Sequence, residues 1–302
     1  MLEIIQANEQ YHNSAGAYLA TLGTEKSVRG VTWGLRIASL ILTESEDYLS
    51  VPWERVNAPE GAYLRSELMK RYKFTSANLV LSAVRGVMGQ ALELDLIDGN
   101  QYQKVLRALK SIKGSNGDTG RFVTTEEIAA LLEQCEDTAK GTRDRALIYT
   151  AYSCGLRRSE ISKIDLEHLD LQAGTLTIEG AKGNKSHVQP IGERARGYLV
   201  DYLEYRGTAP GALFCNVAKG GKVGTGISAR GYAKVLETLR TQAGIPELST
   251  HDLRRSAITH IALKTDIYTA QKFARHSNVK TTLGYLRAHN LQADLRKASD
   301  LF

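Results

Sequence analysis

No apolar run in this 302-residue sequence approaches the roughly 20 residues needed to cross a bilayer. The opening stretch, Met1-Leu2-Glu3-Ile4-Ile5-Gln6-Ala7-Asn8-Glu9, lacks the basic and apolar regions of a secretory signal, so a cytoplasmic protein with no membrane partner is expected. Cysteine is scarce. Cys135, Cys154 and Cys215 show no C-x-x-C or other ligand spacing and read as reduced, buried thiols. There is no internal repeat and no low-complexity stretch. What remains is 42% apolar and 24% charged, the composition of an ordinary soluble protein, and long enough for two domains with a core in each.

The formal net charge is +6 and the isoelectric point is near 9.1. Its distribution is the more informative property. Residues 1–112 carry 12 Lys+Arg against 12 Asp+Glu, which leaves 27 against 21 for residues 113–302. The whole positive excess therefore lies in the longer C-terminal part, where a local field favours phosphate.

Helical spacing dominates the first 110 or so residues. Val28, Val31, Leu35, Ala38 and Leu42 form one stripe, and Leu79, Ala83, Val84 and Val87 another. Val51-Pro52-Trp53 and Asn57-Ala58-Pro59 read as breaks between them, and a short helix is expected from Asn100 to Leu109. Gly and small polar residues from Lys113 to Gly120 read as a flexible linker that spans up to roughly 28 Å when extended. Thr124-Thr125-Glu126-Glu127 is a capping box opening a helix with Ile128, Leu131 and Leu132. A second helix with Leu147, Ile148, Ala151 and Tyr152 stops at Gly155. Segments 174–179 and 187–191 flank a glycine-rich turn, the pattern of a β-hairpin. Further helices are expected at about 228–243, 251–264, 267–275 and from 290.

Chemistry-bearing residues concentrate in this second part. Arg157 follows a helix stop and enters another helix, where a guanidinium can bridge two phosphate oxygens and Glu160, three residues on, can hold it. The same residues also fit a surface Arg157-Arg158 pair with an ordinary neighbour. Lys182 occupies the hairpin turn, as a solvated turn lysine or as a mobile proton donor, with Lys185 as the fallback. His251 and Arg254 stand one helical turn apart on one face and can address a single phosphate, or can simply end a helix in a salt bridge. Arg255 reads as an outward-facing backbone contact or a solvated residue. His276 precedes Tyr285 by nine positions. Two cations, a second imidazole and a phenol suffice to attack a phosphodiester with a side chain, provided a base and positive charge assist a phenol whose ordinary pKa is about 10.

Taken in order, Gly155-Leu156-Arg157-Arg158-Ser159-Glu160, Lys182 in its turn, His251-Asp252-Leu253-Arg254, His276-Ser277, Thr281-Thr282 and Tyr285 resemble the boxes of the tyrosine recombinase (phage-integrase-like) family. Two departures stand out: Ala181 before the lysine, and Arg275 where the family has glycine before the second histidine. The latter puts the local turn in doubt, because glycine serves there for φ freedom or close packing. The resemblance implies a mainly α fold with a small β-sheet (α+β): a helical, SAM-like core DNA-binding domain over 1–112, a linker over 113–122, and a catalytic domain over 123–302 with a C-terminal helical tail. It further implies that Tyr285 attacks the scissile phosphate to give a 3′-phosphotyrosine and a free 5′ hydroxyl. Arg157, Arg254 and His276 would stabilise the transition-state charge, Lys182 would protonate the leaving oxygen, and His251 would assist at the nucleophile. Neither ATP nor a metal is implied. The implied partners are double-stranded DNA recombination sites, held two at a time by a homotetramer exchanging strands through a Holliday junction. The tail from Asn290 would dock on a neighbouring protomer or pack on its own domain. The early start of the helical part makes a further arm-binding domain unexpected and tilts the reading to Xer-like or transposon-type recombination. The alternatives are relaxation of the type IB topoisomerase kind and a non-cleaving DNA-binding relative.

Overall fold

The structure, a computed structural model, describes residues 13–114, 120–180 and 186–286. The expectations for Lys182 and Lys185, for the middle of the linker and for the tail from Asn290 fall outside these residues. The chain divides into two compact units, residues 1–116 and 117–302.

The described elements of the first unit are all helices: α1 (Ser14–Ala20), α2 (Glu25–Thr43), α3 (Ala58–Arg71), α4 (Phe74–Glu93) and α5 (Gly99–Ala108), with one 3₁₀ turn at Trp53–Arg55. The two stripes read from the sequence lie on α2 and α4 and bring Leu35, Ala38, Ala83, Val84 and Val87 into one core with Trp53, Leu64, Leu81 and Met88, whereas Leu79, read as part of the second stripe, is exposed. The Asn57-Ala58-Pro59 segment is a helix start, and the expected break is corrected. Asn57 is the N-cap of α3, Pro59 lies in the first turn where a missing N–H costs nothing, and the Glu60 carboxylate accepts from the Asn57 N–H at 2.9 Å. Asn78 closes the unit by clamping Ile112, accepting from its N–H at 2.7 Å and donating to its carbonyl at 3.0 Å.

In the second unit, α6 (Thr125–Glu133) opens on the expected capping box, with the Thr124 hydroxyl and the Glu127 carboxylate each accepting the other residue's N–H. Helix α7 (Ala139–Ser153) follows, then the single turn α8 (Arg158–Ile161). Strands β1 (Leu169–Asp170), β2 (Thr175–Ile178) and β3 (His187–Pro190) form an antiparallel sheet in that order, with Thr175 opposite Pro190 and Ile178 opposite His187. Helix α9 (Glu193–Arg206), the hairpin β4 (Cys215–Val217) with β5 (Val223–Gly226), and helices α10 (Ala229–Gln242), α11 (Thr250–Lys264), α12 (Ile267–Ala274) and α13 (Val279–Leu286) complete it. The core joins Leu131, Ile148, Leu176, Leu199, Phe214, Tyr232 and Leu253. The cysteines are free and buried, and burial pushes the Cys135 thiol up to about 12 and Cys154 up to about 11, the opposite of a reactive thiolate. No helix among the described residues is long and apolar enough to cross a membrane.

Three local devices position the side chains discussed next. Helix α7 stops at Gly155, whose φ of 55° reverses the chain; a Cβ there would lie 2.7 Å from the Phe273 ring. Helix α11 begins at Ser249, whose N–H and hydroxyl both donate to Asp252. Helix α12 ends in a left-handed residue, Arg275, with φ 57° and ψ 42°.

Candidate active site

Arg157 is the residue before α8. Its N–H donates to Glu160 Oε2 at 2.7 Å and its Nη1 to Oε1 at 2.6 Å, so the carboxylate clamps both ends of the arginine. Even so, 43% of the Arg157 side chain remains exposed, enough to meet a ligand.

Arg254, on α11, is 2% exposed. Its guanidinium donates to the Gly155 carbonyl at the end of α7, to the Ala274 carbonyl at 2.5 Å, and to His276 Nε2, which lies 3.1 Å away. Burial, then the charges of Arg157 and Arg275, bring its pKa down to about 10, so it stays a cation at neutral pH.

His276 sits in the turn between α12 and α13. Because a guanidinium only donates, Nε2 of this ring accepts from Arg254, which leaves the proton on Nδ1, 3.0 Å from the buried Thr282 hydroxyl. Burial and the cations Arg254, Arg157 and Arg275 lower its pKa to about 4, in keeping with the neutral ring. A cleft of about 520 Å³, lined by His187, Tyr268, Gln271, Lys272, Arg275, His276 and Ser277, keeps this turn in reach of solvent.

Tyr285 lies on α13 between the two imidazoles, its ring centroid 5.6 Å from that of His251 and 5.5 Å from that of His276. Its hydroxyl is 3.3 Å from His251 Nε2. Burial, then Arg255 and Arg254, hold the His251 pKa below the usual imidazole value, so the ring is neutral near pH 7 and able to take a proton from the phenol. Arg255 is half-buried: its guanidinium stands 5.5 Å from the centroid of the Tyr285 ring, and its Nη1 donates to the Gly120 carbonyl at 3.4 Å.

The structure thus gathers five of the six expected residues, Arg157, His251, Arg254, His276 and Tyr285, around the start of α11 and the ends of α7 and α12. Lys182 lies outside the described residues. Sequence reasoning had placed Glu160 beside Arg157 but missed its second partner, Arg275. The turn that Arg275 put in doubt is the left-handed turn a glycine would make, with an arginine in it.

A phenol, one neutral imidazole at its oxygen and another bonded to an arginine converge here, with Arg255 over the phenol ring. Such a set can bind a phosphate group and assist a hydroxyl that attacks it.

Residues 121–291 match the model of the phage integrase family. The tyrosine recombinase XerC of Staphylococcus haemolyticus (strain JCSC1435) is 34% identical over 184 residues, 59% of this chain and 59% of that relative. XerC of Staphylococcus aureus (strain JH9) is 30% identical over 243 residues, 78% of this chain and 76% of the relative. Among solved structures, a lambda integrase dimer bound to a COC′ core site has a TM-score of 0.70 at 16% identity, covering 90% of this chain and 92% of that one. The site-specific recombinase XerH, in a post-cleavage complex with palindromic difH substrate, has a TM-score of 0.69 at 20% identity, covering 90% and 78%.

The fold is that of the integrases and recombinases just named, and the chain belongs to the phage integrase family. Within it, the similarity runs to the Xer-like tyrosine recombinases. The match to the S. haemolyticus relative spans about three-fifths of that protein's length.

Proposed function

We propose that this chain is a site-specific DNA recombinase that cuts and rejoins double-stranded DNA through a 3′-phosphotyrosine intermediate. The observation that carries the reading is the Tyr285 hydroxyl at hydrogen-bond reach of His251 Nε2, beside a ring, His276, that is itself bonded to Arg254. Tyr285 is the nucleophile and forms the Oη–P bond; the 5′ oxygen of the DNA leaves. His251, neutral at pH 7, accepts the phenolic proton. Arg157 and Arg254 donate to the non-bridging oxygens as negative charge builds. When a phosphate oxygen takes over the Arg254 N–H, His276 Nε2 is released and the neutral ring stays beside the reacting group, held through Nδ1 to Thr282. Lys182, or Lys185 as fallback, protonates the departing 5′ oxygen. The first unit supplies the core DNA-binding domain over 1–112, joined by the 113–122 linker to a catalytic domain over 123–302.

Assembly follows the same reading. A lambda integrase tetramer bound to a Holliday junction shares this fold, with a TM-score of 0.66 at 15% identity. We infer a homotetramer on two DNA sites in the cytoplasm, serving a mobile element or a chromosome in the Xer-like manner. The test is covalent trapping. Nicked duplex fragments from the genome that encodes the protein should yield a protein–DNA adduct resistant to denaturant, lost in Tyr285→Phe. Mobility shifts without any adduct from the unaltered chain would sink the enzymatic reading and leave a DNA binder.

A further inference from the structure

Arg275 stands where the family signature has glycine, and its backbone keeps the conformation that glycine supplies. Arg275 N–H donates to the Lys272 carbonyl at 3.0 Å and His276 N–H to the Gln271 carbonyl at 3.1 Å, which pins the turn. The side chain does not run out to solvent as arginines near helix ends commonly do. It is 4% exposed and points back under the site. There Nη1 donates to Gln189 Oε1 on β3 at 2.8 Å, and Nη2 to Glu160 Oε2 at 2.8 Å and to the Gly155 carbonyl at 3.3 Å.

Two acceptors are therefore shared. Glu160 holds Arg157 with one oxygen and divides the other between the Arg157 N–H and Arg275. Gly155 accepts from both Arg254 and Arg275. Two guanidiniums share one carboxylate, and a third is joined to them through the Gly155 carbonyl. Were residue 275 glycine, the Glu160 charge would be spent on Arg157 alone, and the cluster facing a phosphate would carry one positive charge fewer. A buried cation held this way acts at short range in a poorly screened setting.

We propose that Arg275 is a positioning residue of the phosphate site: through Glu160 it fixes Arg157, and its own charge strengthens the field that a scissile phosphate enters. The inference rests on the proposed function for its consequence, not for its geometry. The ionisable groups facing the cluster are Cys154 at the end of α7, Arg157 and Glu160 at α8, His187 on β3, His251, Arg254 and Arg255 on α11, Lys272 on α12, His276 in the turn and Tyr285 on α13. Gln189 and Thr282 are the neutral polar neighbours.

The experiment compares the full chain with Arg275→Gly and Arg275→Lys. The His276 titration is followed by NMR of imidazole-labelled protein, and adduct formation on trapped DNA is followed against pH. Arg275→Gly should fold, since glycine takes φ 57° freely, and should raise the His276 midpoint by about half a unit or more. Lysine should restore most of that midpoint while leaving adduct formation about 10-fold or more below that of the unaltered chain, because a single ammonium cannot span Glu160, Gln189 and Gly155. A His276 midpoint unmoved in Arg275→Gly, or a change in melting temperature alone, overturns the proposal. If Arg275→Gly does not fold, the lysine variant decides, and an undiminished adduct rate overturns it. If the unaltered chain forms no adduct, the recombinase reading fails while the His276 midpoint still tests the placement of charge.

Discussion

Replacing Arg254 by lysine tests the site where geometry and chemistry are most tightly joined. The guanidinium reaches three acceptors on two segments: Gly155 after α7, and Ala274 and His276 Nε2 at the end of α12 and in the turn after it. A lysine ammonium, a point charge on a flexible stem, can satisfy one of them at a time. The two carbonyls lie where the arginine is 2% exposed, so one that loses its donor has little water to replace it. An orphaned buried acceptor costs about 1–3 kcal/mol. With one carbonyl stranded and the other bonded less well, the loss should be about 2–3 kcal/mol, which lowers the melting temperature of a unit of this size by roughly 4–12 °C. The rate should suffer more, because a preorganised donor to the developing oxyanion is worth about 100- to 1,000-fold. The assay is single-turnover adduct formation at saturating protein, run beside thermal unfolding. An adduct rate within about threefold of the unaltered chain would refute the assignment of Arg254 to the phosphate, whatever the stability change.

Three further outcomes follow from the same geometry. His276 titrates near pH 4 in the fold against an ordinary value of 6.5, so its share of stability is present above pH 6.5 and is lost as pH falls towards 4. After discounting for solvent screening, about 1–2 kcal/mol should disappear over that window in urea unfolding of the unaltered chain and not of His276→Asn, so that the difference between the two shrinks from pH 7 to pH 4; a flat difference contradicts the neutral ring. His251→Ala should slow adduct formation at pH 7 by roughly 100-fold and regain part of it as pH rises, because hydroxide from solvent then takes the phenolic proton; a pH-independent deficit assigns His251 to DNA binding instead. Gly155→Ala forces a left-handed alanine against the Phe273 ring 2.7 Å away and should destabilise by about 1–3 kcal/mol in equilibrium unfolding. An unchanged midpoint there would mean that α7 and α12 are not packed as described.

Much of the fold was legible where one periodic stripe meets one core, as with Leu35 and Ala38 on α2 or Ile128 and Leu131 on α6. It was least legible where the signal is local and ambiguous. Asn57-Ala58-Pro59 looks like a break and is a helix start, because proline is as suited to a first turn as to a loop. The β4–β5 hairpin sits in a glycine-rich stretch, Lys219 to Gly226, with too few apolar residues to show alternation. Helix α9 went unread although Ala195, Leu199 and Tyr202 are fully buried, since tyrosine and arginine blur its apolar face. In the site, the order of Arg157, His251, Arg254, His276 and Tyr285 was readable because their spacing is local within each box. The fate of Arg275 was not. Its partners Gln189, Cys154 and Gly155 lie 86 to 121 positions away in sequence, and only the folded chain brings them to one guanidinium.

The most direct test of the central claim is to find the atom that carries the DNA. A trapped adduct is digested with protease and nuclease, and the nucleotide-bearing peptide is sequenced by mass spectrometry. The account places the phosphate on the hydroxyl of Tyr285, within the α13 peptide that begins after Lys280. A link to any other residue, the exposed Tyr268 on α12 included, would contradict it.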